Sequence, residues 1–314
     1  IIELDGSSAT GADENGLTLE TSDSTIRGLV INRFADNAIE VDVGSNNTTI
    51  VGNYIGTDKT GIGNLGNAMR GILIEGGATN NIIGGQSGAR NIISGNNTHG
   101  VEIRDAGTSY NSVIGNYIGI TVNGTLAFGN TRSGVRIANG ATNNTIGSHM
   151  NNQCGNVISG NGGPIGYSGV DILNPGTSNN TVEGNYIGTN YLGTSAIANT
   201  GNGVSIFLGA TNNSIGGLHQ NVISGNAANG VWIEGTGTNN NYVTNNLIGL
   251  DATGLVAMAN TLNGVLVNNG AQSNNIGPGS TNANFISGNT QDGIKIENSN
   301  TNSNIIKFNR VGIN

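Results

Sequence analysis

The feature that most constrains this chain is a short phrase, Gly-Val-x-Ile and close variants of it, that returns nine times. Its second residue is Ile39, Ile72, Val101, Val135, Val170, Val204, Val231, Val265 and Ile294, at spacings of 27 to 35 residues. Each copy alternates apolar and variable positions, which is the pattern of a short strand with one buried face. A polar corner follows, such as GATNN at 140–144 and again at 209–213. A unit of this length with two or three short strands cannot bury its apolar face alone. Stacked copies can, because equivalent Val and Ile positions then form one continuous core.

The copies are of two kinds. After Ile39, Val101, Val170, Val231 and Ile294 comes a GNYIG-like segment, at 52–56, 115–119, 184–188, 245–249 and 309–312. After Ile72, Val135, Val204 and Val265 comes a variable loop and then ISGN, at 93–96, 158–161, 223–226 and 286–289. The true repeat is therefore a pair of coils. The pattern predicts an all-β, right-handed parallel β-helix (a β-solenoid) of about nine coils in alternating two-coil repeats. Parallel strands about 4.8 Å apart would make it a rod roughly 40–45 Å long. Asn96, Asn161, Asn226 and Asn289 are expected to stack as amide ladders at the corners.

Composition fits this reading. The chain has 314 residues with 54 Gly, 56 Asn and only 3 Pro. Gly and Asn are the residues that tolerate left-handed corners. Net charge is −8, which disfavours a nucleic-acid partner, since phosphate recognition needs clustered Lys and Arg. No apolar run reaches the roughly 18 residues of a membrane-spanning helix. A single cysteine, Cys154, excludes an intrachain disulfide. Ile1 already stands in patterned sequence, so no signal peptide is expected, and 1–314 reads as one β-helix domain, mature or excised from a larger protein.

The phrases GNYIGTD at 52–58, RNIISGN at 90–96 and NGVWI at 229–233 resemble the parallel β-helix repeats of bacterial secreted and cell-surface proteins. The resemblance implies the pectate-lyase-like superfold and a secreted or cell-surface location. That superfold carries lyases, epimerases, glycosidases, tailspikes and adhesins, so it does not choose a function. The Asp-Pro-His sequence that resembles alginate epimerases is absent.

Chemistry is sought at the variable x, which points away from the core. Coil by coil this column reads Glu40, Leu73, Glu102, Arg136, Asp171, Ser205, Trp232, Leu266 and Lys295. The outward residue two further on gives Asp42, Glu75, Arg104, Ala138, Leu173, Phe207, Glu234, Asn268 and Glu297. Glu102, Arg136 and Asp171 are the catalytic candidates. Carboxylates two rungs apart, roughly 9–10 Å, approach the spacing of an inverting glycosidase. An arginine between them could neutralise a uronate in a lyase. The competing reading is a surface charge ladder that avoids like-charge stacking. Leu173, Phe207, Trp232 and Leu266 form an apolar patch suited to a sugar ring or a protein contact, unless a loop covers it.

Other candidates carry less. His149, His219 and Cys154 match no zinc-ligand spacing, so no metal site is expected. Asp58 and Asp251 open equivalent loops and invite calcium as a possible cofactor, but Thr121 and Asn190 replace them in the sister loops. Those four loops, Thr57–Asn67, Ile120–Asn130, Thr189–Asn199 and Leu250–Asn260, are expected on one edge, packed on one another or on a partner. The expected function is a noncatalytic structural or adhesion solenoid that self-associates end to end or meets extracellular polysaccharide. The alternative is a polysaccharide-active lyase or glycoside hydrolase, or a carbohydrate-binding module, working through the outward strand face.

Overall fold

The computed structural model describes residues 2–312 apart from 10, 12–13, 86–87, 148–154, 278 and 280–282. Three all-parallel sheets run the length of the molecule, with 11, 10 and 10 strands. Consecutive strands in the chain belong to different sheets, and every third strand returns to pair with its equivalent one coil earlier. The chain is a right-handed parallel β-helix, the hand that strand-to-parallel-strand connections adopt.

The nine phrases all lie in the second sheet, in strict register. Val101 pairs with Val135, Glu102 with Arg136 and Ile103 with Ile137; the next coil continues with Val170, Asp171 and Ile172. The Val and Ile of the first eight phrases are fully buried in the central core, and those of the last coil, Ile294 and Ile296, are partly exposed. A tenth strand in this sheet, Leu17–Leu19, precedes the first phrase and pairs with Ile39–Val41. Leucine stands there where the later coils have a β-branched residue, which hid it from the repeat pattern.

Three asparagine ladders run along the corners, one at each, and they join every coil rather than alternate ones. Asn96 donates to Asn130 Oδ1 at 2.9 Å, Asn130 to Asn161 at 3.0 Å and Asn161 to Asn199 at 3.1 Å. A second ladder runs through Asn91, Asn116, Asn156 and Asn185, and a third through Asn81, Asn111, Asn144 and Asn180. The paired asparagines of GATNN divide the work. Asn143 and Asn212 turn the chain with φ of 57° and 58°, and Asn144 and Asn213 enter the ladder. Buried amides are thereby satisfied, as a dry corner requires. The last glycine of GNYIG serves the same ladder. Gly119 has φ +86°, and a Cβ there would lie 2.2 Å from Asn161 Oδ1.

The four projecting loops are hairpins. Each closes on an antiparallel bridge, such as Thr57 to Asn64 and Ile120 to Ala127. They stack on one another through Val122 N–H to the Gly61 carbonyl, Tyr191 N–H to Gly124 and Ala252 N–H to Gly193. Beneath them Ile92, Tyr117, Val157, Ile120 and Ile197 make a second apolar layer outside the first sheet. Packing on that sheet explains why Tyr54, Tyr117 and Tyr186 recur. Asp58 Oδ1 holds its hairpin by accepting from Thr60 N–H, Thr60 Oγ1, Ile62 N–H and Gly63 N–H. Asn190 Oδ1 does the same from Thr194 and Ser195 N–H, so an uncharged acceptor serves there as well as a carboxylate, whereas the Thr121 hydroxyl of a third hairpin makes no such bond among the described residues.

Candidate functional site: a groove on the second sheet

The site is found where the repeat breaks. Three residues before the x of each phrase, and at the same place before Leu17–Leu19, stands a residue at the entry to the strand, and in half of the coils it is Asn: Asn15, Asn37, Asn202, Asn229 and Asn263, with Asp292 in the last. These make a fourth amide ladder, with Asn37 donating to Asn15 at 3.0 Å, Asn229 to Asn202 at 2.9 Å and Asn263 to Asn229 at 2.9 Å. Over four consecutive coils the asparagine is replaced by Arg70, His99, Ser133 and Ser168. A second break lies in the last of these coils. Three residues separate ISGN from the following Gly at 97–99, 227–229 and 290–292, but seven do so at 162–168. The longer segment holds a short helical turn, Gly163–Ile165, and delivers Tyr167 over the sheet. Stacking alone would have kept the repeat; giving it up over four consecutive coils beside the longer segment marks a site with another task.

Glu102, Arg136 and Asp171 lie in adjacent register on this sheet, yet the two carboxylates are not an exposed charge ladder. Glu102 is 1% exposed and sits between Arg70 Nε at 2.6 Å and Arg136 Nη1 at 3.2 Å. Asp171 is 5% exposed. Burial pushes its carboxyl above the usual range, against the opposing pull of the Ser133 and Ser168 hydroxyls and Arg136. Ser133 Oγ donates to Asp171 Oδ2, and the Ser168 and Ser205 hydroxyls are 2.7 Å apart beside it.

Beyond Asp171 the face opens into a concavity of about 230 Å³. Asp171, Ser168, Ser205 and Asn202 form its polar floor, and Tyr167, Phe207 and Trp232 its walls. Phe207 and Trp232 stack with ring centroids 6.0 Å apart and planes 25° apart. Trp232 is fixed by its indole N–H, which donates to Asn268 Oδ1 at 3.0 Å. Of the apolar patch expected from the sequence, Leu173 and Leu266 are buried at 6% and 9% exposure, leaving Phe207 and Trp232 as its reachable part.

His99 occupies the other side of Tyr167. It is 2% exposed, and neither ring nitrogen has a well-formed hydrogen bond among the described residues. Thr98 Oγ1, next in the chain, is also buried without one. Tyr167 meets the imidazole edge-to-face at 6.3 Å, and the Arg132 guanidinium lies 5.7 Å from the Tyr167 ring centre. Burial first, then Arg136, Arg70 and Arg132, lower the His99 pKa to about 3, with the Ser133 backbone opposing. The ring is thus neutral and offers one N–H donor and one acceptor.

Sequence reasoning reached Glu102, Arg136, Asp171, Phe207 and Trp232, but missed His99, Arg70, Arg132, Tyr167 and the serines. The interrupted asparagine column and the longer segment at 162–168 were the signals that could have found them. His149 and Cys154 lie outside the described residues.

A parallel β-helix carrying a polar and aromatic groove on one sheet is the class that fold and site define. No protein-family model and no curated protein matches the chain. Among solved structures it is similar to the Azotobacter vinelandii mannuronan C-5 epimerase AlgE4 A-module, with a TM-score of 0.48 and 15% identity over 93% of this chain and 74% of that one. It is also similar to the periplasmic alginate epimerase AlgG, with a TM-score of 0.47 and 14% identity over 96% of this chain and half of that one. Residue roles here rest on this chain's own geometry.

Proposed function

We propose that this protein is a secreted or cell-surface polysaccharide-binding β-solenoid that holds a saccharide along the outer face of its second sheet. The observation that carries the reading is the groove in which the stacked Phe207 and Trp232 rings stand beside Asp171, Ser168, Ser205 and Asn202. A sugar ring has an apolar face and a rim of hydroxyls. An aromatic wall beside acceptors and donors fits both. Protein contact surfaces of similar apolar content are broader and flatter than this single concavity.

Binding rather than glycoside hydrolysis is favoured by the state of the two carboxylates. Glu102 is committed to two guanidiniums and Asp171 to hydroxyl donors. With Glu102 so held, Asp171 has no free second carboxylate beside it among the described residues, as a hydrolase pair requires.

A glycan array followed by titration of the best oligosaccharide tests the reading. Trp232→Ala should weaken binding at least tenfold, about 1.4 kcal/mol. Equal affinity in the variant, or no saccharide ligand at all, would discard it.

A further inference from the structure

We infer that the 162–168 segment is a displaceable cover over a second subsite, one that accepts an oxyanion substituent of the saccharide between His99, Arg132 and Arg136. Its attachment to the groove rests on the function proposed above; the anion subsite itself does not.

Three independent observations converge on it. First, His99 is a buried side chain with neither ring nitrogen in a well-formed hydrogen bond among the described residues, the Ser133 backbone offering only a loose one. Such an atom costs free energy unless a ligand or water completes it. Second, the local charge is positive in an acidic protein. Arg70 and Arg136 share the single Glu102 carboxylate, and Arg132 meets no carboxylate among the described residues. Three of the chain's eight arginines, in a protein of net charge −8, stand around one imidazole. Third, what closes the place is the segment that the other coils lack. Tyr167 lies on the imidazole, and Gly162, Gly163 and Gly166, with φ of 111°, 51° and 83°, flank the turn that carries it.

The segment is lightly held. Ser168 at its end is anchored through its hydroxyl to Ser205, while 162–167 is tied by Tyr167 N–H to the Gly162 carbonyl, Gly201 N–H to the Tyr167 carbonyl, Gly162 N–H to Asn130 and Thr200 Oγ1 to Gly163. The Tyr167 ring contributes a surface contact rather than a ladder bond. Rotating it away would uncover the imidazole N–H and the inner faces of Arg132 and Arg136 together. The ligand chemistry is then a carboxylate or sulfate group on a sugar adjoining the ring held at Trp232. A neutral imidazole supplies one hydrogen bond, and the guanidiniums supply charge and paired donors.

The test has two arms. In the first, sodium sulfate is titrated against sodium chloride at equal ionic strength while the His99 ring resonances and the amide exchange of 162–168 are followed. Sulfate should shift the ring signals and speed exchange in the segment; no response to sulfate overturns the inference whatever the saccharide results. In the second, three oligosaccharides of one length and linkage are compared: neutral, uronate-containing and sulfated. One or both acidic forms should bind at least fivefold tighter than the neutral one. The variant His99→Asn, which places there the asparagine that five other coils carry, combined with Arg132→Gln, should lose that preference and keep the neutral affinity within twofold. Acidic preference that survives in the variant, or is absent from the parent, overturns the inference and leaves the groove reading standing. Failure of all three oligosaccharides alongside a sulfate response would sink the groove reading instead.

Discussion

Arg136 reaches back one coil to the Glu102 carboxylate at 3.2 Å while Arg70 meets it from the preceding coil at 2.6 Å, and Glu102 is only 1% exposed. A carboxylate so deeply removed from water is tolerable only while both partners stay. Glu102→Gln leaves guanidiniums that are 14% and 25% exposed and can turn to water, so it should cost about 1–3 kcal/mol. Lys295→Ala, which removes an exposed pair to Glu297, should cost no more than about 1 kcal/mol. Denaturant midpoints of the two variants check the contrast. Similar small losses would mean that Glu102 is better hydrated than its position indicates.

The amide ladders lead to a second expectation. Asn116 Nδ2 donates to the Ile83 carbonyl at 2.8 Å and to Asn156 Oδ1 at 3.1 Å, and its Oδ1 accepts from Asn91. Asn116→Ala orphans groups on both neighbouring coils, at about 1–3 kcal/mol for each buried group left unmet. The loss should be at least about 3 kcal/mol. Amide exchange should accelerate in the coils on either side, since solenoid stability is passed between neighbours.

The hairpins separate charge from acceptor geometry. Asp58 collects several donors on one oxygen, and Asn190 fills the same place in a sister hairpin. Asp58→Asn should stay within about 0.5 kcal/mol of the parent, whereas Asp58→Ala should lose about 1 kcal/mol, as for a lost cap. The Thr60 hydroxyl and the neighbouring backbone N–H groups hold this carboxyl below its usual range despite some burial. Its contribution is present above the unfolded pKa and fades as pH falls through the lowered folded value. Thermal midpoints near pH 3 and pH 7 would show the Asp58→Ala penalty shrinking in acid.

Glu40 behaves in the opposite sense. Burial, then its hydrogen bond with Glu75 and that group's charge, raise its pKa to about 7. The folded protein binds this proton more tightly than the unfolded chain does. Stability assigned to it is full below the unfolded value of about 4.5 and is lost as pH rises towards about 7. Glu40→Gln should flatten that part of the stability profile, with the parent's Glu40 carboxyl titrating near 7 by NMR. A titration near 4.5 would contradict the packing around Glu75.

Much of the fold was legible in the chain because a solenoid makes each coil repeat the same local problem. The inward Val and Ile, the turning first Asn and the laddered second Asn of GATNN meet identical surroundings nine or ten times, so their identities recur and can be read. Leu17–Leu19 escaped because it departs from that wording while satisfying the same packing.

The site was half legible, for a related reason. Alternation along a strand is local, so it told which side Glu102, Arg136, Asp171, Phe207 and Trp232 face. Whether that side meets water is not local. Glu102 is buried by arginines from both neighbouring coils, Leu173 and Leu266 are buried too, and His99 is sealed by a tyrosine from 68 positions further along the chain. The sequence by itself determined the coil, its corners and the outward direction of these side chains, because those follow from residue type and period. Only the stacking of unlike coils decided exposure, charge pairing and the groove, because each depends on which residues the register sets one rung apart.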